Sequence, residues 1–165
     1  MGSALTPLDF INGKLSGPAR DLLLASKEIG LLKPSGGVRP IAMPEIFFKL
    51  AGLFLLTIHR EELAQTFLPI QYGVGVSGGS ERAARAIQAH LETYGSNAIV
   101  VSFDMKNAFN ERDRAKILEE LFQHPEYQNM WPMIHWAYAA DSELLIFFLQ
   151  VLMTIIRSRE GGQAG

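Results

Sequence analysis

Three groups of residues have types and spacings that chemistry can use. The first is Asp104, which closes the apolar run Ala98-Ile-Val-Val-Ser-Phe103. Three β-branched residues and a phenylalanine predict a buried strand over 98–103, and Asp104 then stands where that strand leaves the core. A carboxylate held by stiff backbone at such a place suits a hard oxygen ligand for a divalent cation. The alternative is an acid that only ends the strand or caps the turn Asn107-Ala-Phe-Asn110. The second group is the pair of cations in Lys33-Pro-Ser-Gly-Gly-Val-Arg-Pro-Ile41. The rigid fork of Arg39 can hold two phosphate oxygens, and Lys33 can add a point charge beside it. The alternative is two solvated turn residues. Phe109, five residues beyond Asp104, either presses on a sugar or packs in a core. The third group is Gly73-Val-Gly-Val-Ser-Gly78, a GxGxxG ahead of a helix. It imitates a dinucleotide cradle with Asp104 as the ribose ligand. The segment before it holds Pro69, Gln71 and Tyr72, a poor buried strand, and Asp104 lies farther along than that fingerprint wants. A turn that needs positive φ explains the glycines more simply.

The elements that would position these groups follow from turn formers and apolar spacing. Residues 1–19 are polar and bear Gly and Pro, which predicts an irregular lead-in, and Asp21–Lys27 reads as a short helical turn. Ile29–Leu32 and Val38–Ala42 flank a Pro-Ser-Gly-Gly turn, and Pro40 keeps Arg39 extended. A β-hairpin with Lys33 and Arg39 near its tip follows. Pro44 and Glu45 open a helix to about residue 65, with a wide apolar stripe that predicts deep burial. His59 lies in it without a partner visible in the sequence. Phe67–Val76 is irregular. Ser80 is a fitting N-cap for a helix over 81–94, with Glu81 at its positive end. A third helix spans 113–122 and is broken by His124-Pro125, and a fourth spans 127–139 with Pro132 disturbing it. Leu144–Ile156 is strongly apolar, is interrupted by Gln150, and falls short of the ~20 residues a membrane helix needs. It reads as a buried strand or a core helix. The element expected to cover it lies beyond the glycine-rich end at Gly165.

Composition bounds the rest. At 165 residues, 48% apolar and 19% charged, the chain fits one domain or a piece of one and can bury a core. It has no cysteine, so neither a disulfide frame nor thiolate chemistry is available, as befits an intracellular protein, cytoplasmic or nuclear. No basic-then-apolar secretory leader opens it. The net charge of -2 gives no global attraction to nucleic acid, so any such binding must be local.

Taken in order, the motifs resemble the reverse transcriptase domain of non-LTR retrotransposons, over nearly the whole chain. Leu32-Lys-Pro-Ser-Gly-Gly-Val-Arg-Pro-Ile-Ala42 is similar to the family's fingers hairpin. Gln71-Tyr-Gly-Val-Gly-Val-Ser-Gly-Gly-Ser-Glu81 is similar to its Gln-aromatic-Gly segment, which accounts for the GxGxxG without a dinucleotide. Ser102-Phe-Asp-Met-Lys-Asn-Ala-Phe-Asn110, followed by Arg114, resembles the palm motif with the first catalytic aspartate. Ser158–Gly165 resembles the start of the next palm motif. The resemblance implies an α+β fold: lead-in 1–28, fingers-like region 29–97, partial palm 98–165. It implies that Asp104 and the Met105 carbonyl bind catalytic Mg²⁺, and that Lys33 and Arg39 contact the triphosphate of an incoming dNTP. Phe109 would crowd a ribose 2′-hydroxyl, and Gln71 and Gly73 would lie near the template. RNA template and DNA primer are the implied partners, and the implied reaction is two-metal nucleotidyl transfer.

The departures matter as well. Where the family has Gln before the glycine equivalent to Gly165, this chain has Ala164, with Gln163 one place earlier. The aromatic-x-Asp-Asp hairpin of the family does not occur in these 165 residues. One carboxylate leaves a two-metal site open, so the chain is expected to be inactive in isolation. Two rival readings remain: a non-catalytic module that binds nucleic acid or nucleotide, and a dinucleotide-binding domain.

Overall fold

The computed structural model describes residues 6–105, 108 and 110–161. The fold is α+β and divides into two compact units, residues 1–53 with 107–165, and residues 54–106. Phe109, Gln163, Ala164 and Gly165 lie outside the described residues.

The first unit is built on a four-stranded sheet ordered β2-β1-β3-β4. Strands β1 (Ser26–Leu32) and β2 (Val38–Pro44) form the antiparallel hairpin expected around the Pro-Ser-Gly-Gly turn. Lys33 N–H donates to the Gly37 carbonyl at 3.0 Å, and Gly36 N–H to the Lys33 carbonyl at 3.0 Å. Gly36 and Gly37 have φ of 86° and 85°, where a side chain would be strained. Pro40 and Pro44 are tolerated because β2 is an edge strand. Strands β3 (Ser142–Phe148) and β4 (Val151–Ser158) make a second antiparallel hairpin, and β3 runs parallel to β1. The run 144–156 is therefore neither one strand nor a helix. It folds back at Leu149-Gln150, whose φ values are 47° and 66°. Neither residue is a Gly, Asn or Asp, so the usual sequence signal for such a turn is missing. Nor is the run deeply buried: Val151 through Arg157 are exposed along the sheet edge.

Helices supply the core of this unit. The segment read as an irregular lead-in holds α1 (Pro7–Ile11) and α2 (Gly17–Leu24). Thr6 and Asp9 form a reciprocal capping box, with Asp9 N–H on Thr6 Oγ1 at 3.3 Å and Thr6 N–H on the Asp9 carboxylate at 3.0 Å. Helix α2 carries Pro18 in its first turn, so the helix expected at Asp21 starts earlier and yields to strand at Ser26. Helix α6 (Arg114–Phe122) is capped by the Asp113 carboxylate, which accepts from Ala115 N–H at 2.9 Å. Helix α7 (Trp131–Tyr138) carries Pro132 in its first turn, where no hydrogen bond is lost, so Pro132 starts the helix instead of disturbing it. Phe10, Leu15, Leu24, Met130, Met133 and Trp136 are buried together with Tyr127. Trp136 organises them: its ring meets Phe10 edge-on at 5.1 Å, and its indole N–H donates to the Leu15 carbonyl at 2.6 Å. Arg20 adds two hydrogen bonds to the Trp136 carbonyl, at 3.2 and 3.0 Å.

The expected long helix over 44–65 is two helices, α3 (Ile46–Ile58) and α4 (Arg60–Phe67), broken at His59. The apolar stripe of α3 is not deeply buried: Ala51 and Leu55 are, whereas Ile46, Phe47, Leu50, Leu53 and Phe54 are each more than half exposed. His59, in the second unit, has a partner after all, the Glu62 carboxylate at 2.7 Å from Nδ1. Helix α5 (Gly79–Tyr94) starts two residues earlier than expected, with Gly78 at the N-cap in the left-handed region and Glu81 in the first turn. Among the described residues no helix is long and apolar enough to cross a membrane.

The sharpest departure is at 98–103. The segment forms no strand, and Ile99 is 86% and Phe103 89% exposed. β-Branched composition favours a pleated, half-buried surface, and that preference counts only when a neighbouring strand offers its backbone. No described strand pairs with this one.

In the sheet, burial raises the Glu28 carboxyl above its ordinary value. The folded state then favours the neutral acid: stability is fully present below the ordinary value near 4.5 and is lost as pH rises through the raised one. Glu28→Gln should therefore melt higher than the parent at pH 7 and lose that advantage at pH 4, as read by thermal denaturation at the two pH values.

Candidate functional site

The sequence-predicted site residues fall in both units. Lys33 and Arg39 belong to the first. Lys33 stands at the tip of the β1–β2 hairpin, and Arg39 lies on β2 opposite Leu31, two residues before Lys33 in β1. Both are exposed. The hairpin thus brings the two cations to one end of one ribbon. Asp104, Met105, Gln71 and Gly73 belong to the second unit. Asp104 is exposed, and Met105 is 65% exposed, both in irregular chain. Asp104 therefore does not close a buried strand. Gln71 folds onto its own backbone, its side-chain oxygen accepting from Gly73 N–H at 2.5 Å.

Among the described residues no group of three or more His, Cys, Asp or Glu side chains converges as a metal site. Asp104 and the adjacent carbonyl do not by themselves make the oxygen cage that Mg²⁺ needs.

Within 73–78, Gly75 has a packing role. Gly75 has φ of 70°, and a Cβ there would lie 2.6 Å from the Arg60 carbonyl oxygen and 3.0 Å from Ala64 Cβ. Arg60 Nε returns a hydrogen bond to the Gly75 carbonyl at 3.2 Å. A Cβ on Gly79 would collide with the Tyr72 carbonyl. The loop is pressed against α4 and the start of α5, and it follows a turn, not a strand. The strand–loop–helix of a dinucleotide cradle is not built here.

The feature that sequence reading undervalued is Arg114. It was visible only as a basic residue following the Asp104 motif, yet it is 6% exposed. Its Nε donates to the Gly161 carbonyl at 2.9 Å and its Nη1 to the Ala140 carbonyl at 3.3 Å. Its Nη2 reaches both the Ser142 and the Ser158 hydroxyls, at 3.2 and 3.0 Å. The guanidinium also lies 5.5 Å from the centre of the Tyr138 ring. Burial lowers its pKa, opposed by Tyr138 and Asp141. Beside it opens a cavity of about 450 Å³ lined by Asp113, Tyr138, Asp141, Arg159 and Glu160 among others.

Two outcomes follow. Arg114→Ala should lower the unfolding free energy by about 3 kcal/mol, since a charge-assisted network on four acceptors is lost. Arg114→Lys should recover little of it, because an ammonium lacks the planar fork. Denaturant unfolding reads both. Gly75→Ala should destabilise by about 1–3 kcal/mol through its positive φ and the Arg60 contact, and titration with NAD should give no signal for the parent or the variant.

Comparison with known proteins adds one relation. The chain is 31% identical over 126 residues to the "Retrotransposable element SLACS 132 kDa protein" of Trypanosoma brucei gambiense, covering 76% of this chain and 10% of that protein. No family model matches the chain. No solved structure matches it. The chain spans about a tenth of the length of the curated relative it matches, and over three quarters of its own length it is related to a retrotransposable-element protein.

Proposed function

We propose that the chain is part of a reverse transcriptase domain, contributing a fingers-like hairpin and the beginning of a palm. In the intact polymerase the reaction is RNA-templated DNA synthesis by attack of a primer 3′-hydroxyl on the α-phosphate of a dNTP. The observation that carries the reading is the β1–β2 hairpin. A motif read from sequence as a phosphate-binding ribbon folds as a ribbon, with Lys33 at its tip and Arg39 exposed on its outer strand. Arg39 offers a bidentate fork and Lys33 a mobile ammonium, a pairing suited to a triphosphate. The similarity to a retrotransposable-element protein supports the same reading. Asp104 and the Met105 carbonyl are the proposed Mg²⁺ ligands, Phe109 the sugar gate, and Gln71 and Gly73 the template contacts.

A second reading rests on the hairpin alone: the exposed Lys33 and Arg39 can hold phosphate whether or not a metal site is completed beside them. On that reading the chain is a binding module without catalysis. Titration with a fluorescent dATP in Mg²⁺ tests the first: Arg39→Ala should weaken binding roughly tenfold, Lys33→Ala should weaken it less, and Asp104→Asn should reduce its Mg²⁺ dependence. Equal affinity in all variants would sink the nucleotide assignment. Primer extension on an RNA template with this chain alone should give no incorporation, since two-metal chemistry needs more than one acidic ligand.

A further inference from the structure

The corner between α6 and α7 is closed by contacts over a short stretch of chain. A single 3₁₀ turn, Pro125–Tyr127, lies between the two helices, and Tyr127 is buried. The Leu121 carbonyl, in the last turn of α6, accepts from His124 N–H at 3.1 Å and from the Trp131 indole N–H at 3.1 Å. Phe122 meets the Trp131 ring edge-on at 5.4 Å and lies 6.1 Å from the His135 ring.

His124 stands at this corner with its two ring nitrogens facing two carboxylates. Nδ1 is 2.9 Å from Glu126, in the 3₁₀ turn, and Nε2 is 3.7 Å from Glu120, one turn back in α6. A neutral imidazole carries one N–H, so one carboxylate would meet a lone pair. Only the imidazolium presents a donor to each. The position favours the same form. A cation just past the last turn of a helix is attracted by the unpaired carbonyls there, and an acid four residues before a cation is the preferred order for a helical pair. The Tyr127 ring is 6.0 Å away. Among the described residues the charged groups facing the imidazole are Glu120 and Glu126.

We propose that His124 is a proton-operated latch on the α6–α7 corner. As the imidazolium it ties the last turn of α6 to the 3₁₀ turn through Glu120 and Glu126, and release of its proton to solvent frees that turn to open. The Glu126 carboxylate, accepting from the ring, holds His124 above its ordinary value near 6.5, and Glu120 adds to this against desolvation. The same hydrogen bond holds Glu126 below its ordinary value near 4.5. A raised histidine contributes stability that is fully present below 6.5 and is lost as pH rises through the raised value. A lowered glutamate contributes stability that is present above 4.5 and is lost as pH falls through the lowered value. The latch is therefore fully closed between 4.5 and 6.5 and opens beyond the shifted value on either side. It uses none of the residues assigned to nucleotide, metal or template, and so does not rest on the proposed function.

NMR of the full chain tests both halves of the proposal. The His124 ring should titrate at higher pH in the folded chain than in the chain unfolded by urea. Its midpoint should fall in Glu126→Gln, fall less in Glu120→Gln, and fall furthest in the double variant. Amide hydrogen exchange reads the opening. Tyr127 N–H and Gln128 N–H donate to the His124 and Pro125 carbonyls at 3.0 and 3.2 Å. Their protection factors should drop about two- to fivefold as pH rises from about 6 to about 9, and added salt should shrink the drop. His124→Gln should abolish the drop, and His135→Gln, on the α7 side of the corner, should keep it. All four positions are exposed or half-exposed, and circular dichroism checks that each variant folds. A His124 midpoint no higher than in the unfolded chain, or unmoved by both glutamate substitutions, overturns the proposal. So does a loss of protection in His124→Gln equal to that of the parent.

Discussion

The buried guanidinium of Arg114 is the constraint on which the first unit depends. Removing a cation from water is expensive, and its hydrogen bonds go to no carboxylate that would repay the cost directly. Neutral oxygens repay it instead: two main-chain carbonyls and two hydroxyls, drawn from the end of α7, the start of β3, the end of β4 and the turn after it. Ser142 and Ser158 are paired across β3 and β4. The same nitrogen that binds both therefore pins the register of that hairpin at its open end. Gly161 N–H returns a bond to the Arg112 carbonyl at 2.7 Å, which closes the loop around the cation.

From that anchor the geometry of the sheet follows. With β3 held, β1 can lie parallel beside it over Ser26–Glu28, and β2 follows β1 through its tight turn. The hairpin bearing Lys33 and Arg39 is thus supported at its base and free at its tip. Ser26 and Leu24 at that base are almost fully buried, whereas every residue from Leu31 to Pro40 is exposed. A rigid root and an open end suit a ribbon that meets a ligand.

Apolar surface is distributed unevenly. The buried cluster around Trp136 belongs to the helices, while α3, β4 and residues 99–103 leave large apolar side chains in solvent. Exposed apolar strands and helices of this extent go beyond the scattered single apolar residues of an ordinary surface. The bulge between Ile146 and Phe147, opposite Met153, interrupts the outer edge. A bulge of this kind twists an edge strand away from adventitious pairing.

Several elements could be read from residue types because their causes are local. The β1–β2 hairpin was legible in Pro-Ser-Gly-Gly, α6 in the one-sided spacing of Ile117, Leu118, Leu121 and Phe122, and the irregular loop before α5 in its glycines. Helix α1 was equally local and was missed, although Thr6-Pro-Leu-Asp9 carries its capping box openly. The turn at Leu149-Gln150 was not legible, because neither residue favours positive φ and only the pairing of the flanking strands holds it there. Residues 98–103 show the reverse case: a strand-like composition without a strand, since pairing depends on what lies alongside. Lys33, Arg39 and Asp104 were named from sequence as chemistry-bearing residues. That Arg114 is buried under two serines 16 residues apart was decided by the register of strands distant in the chain, which no local preference encodes.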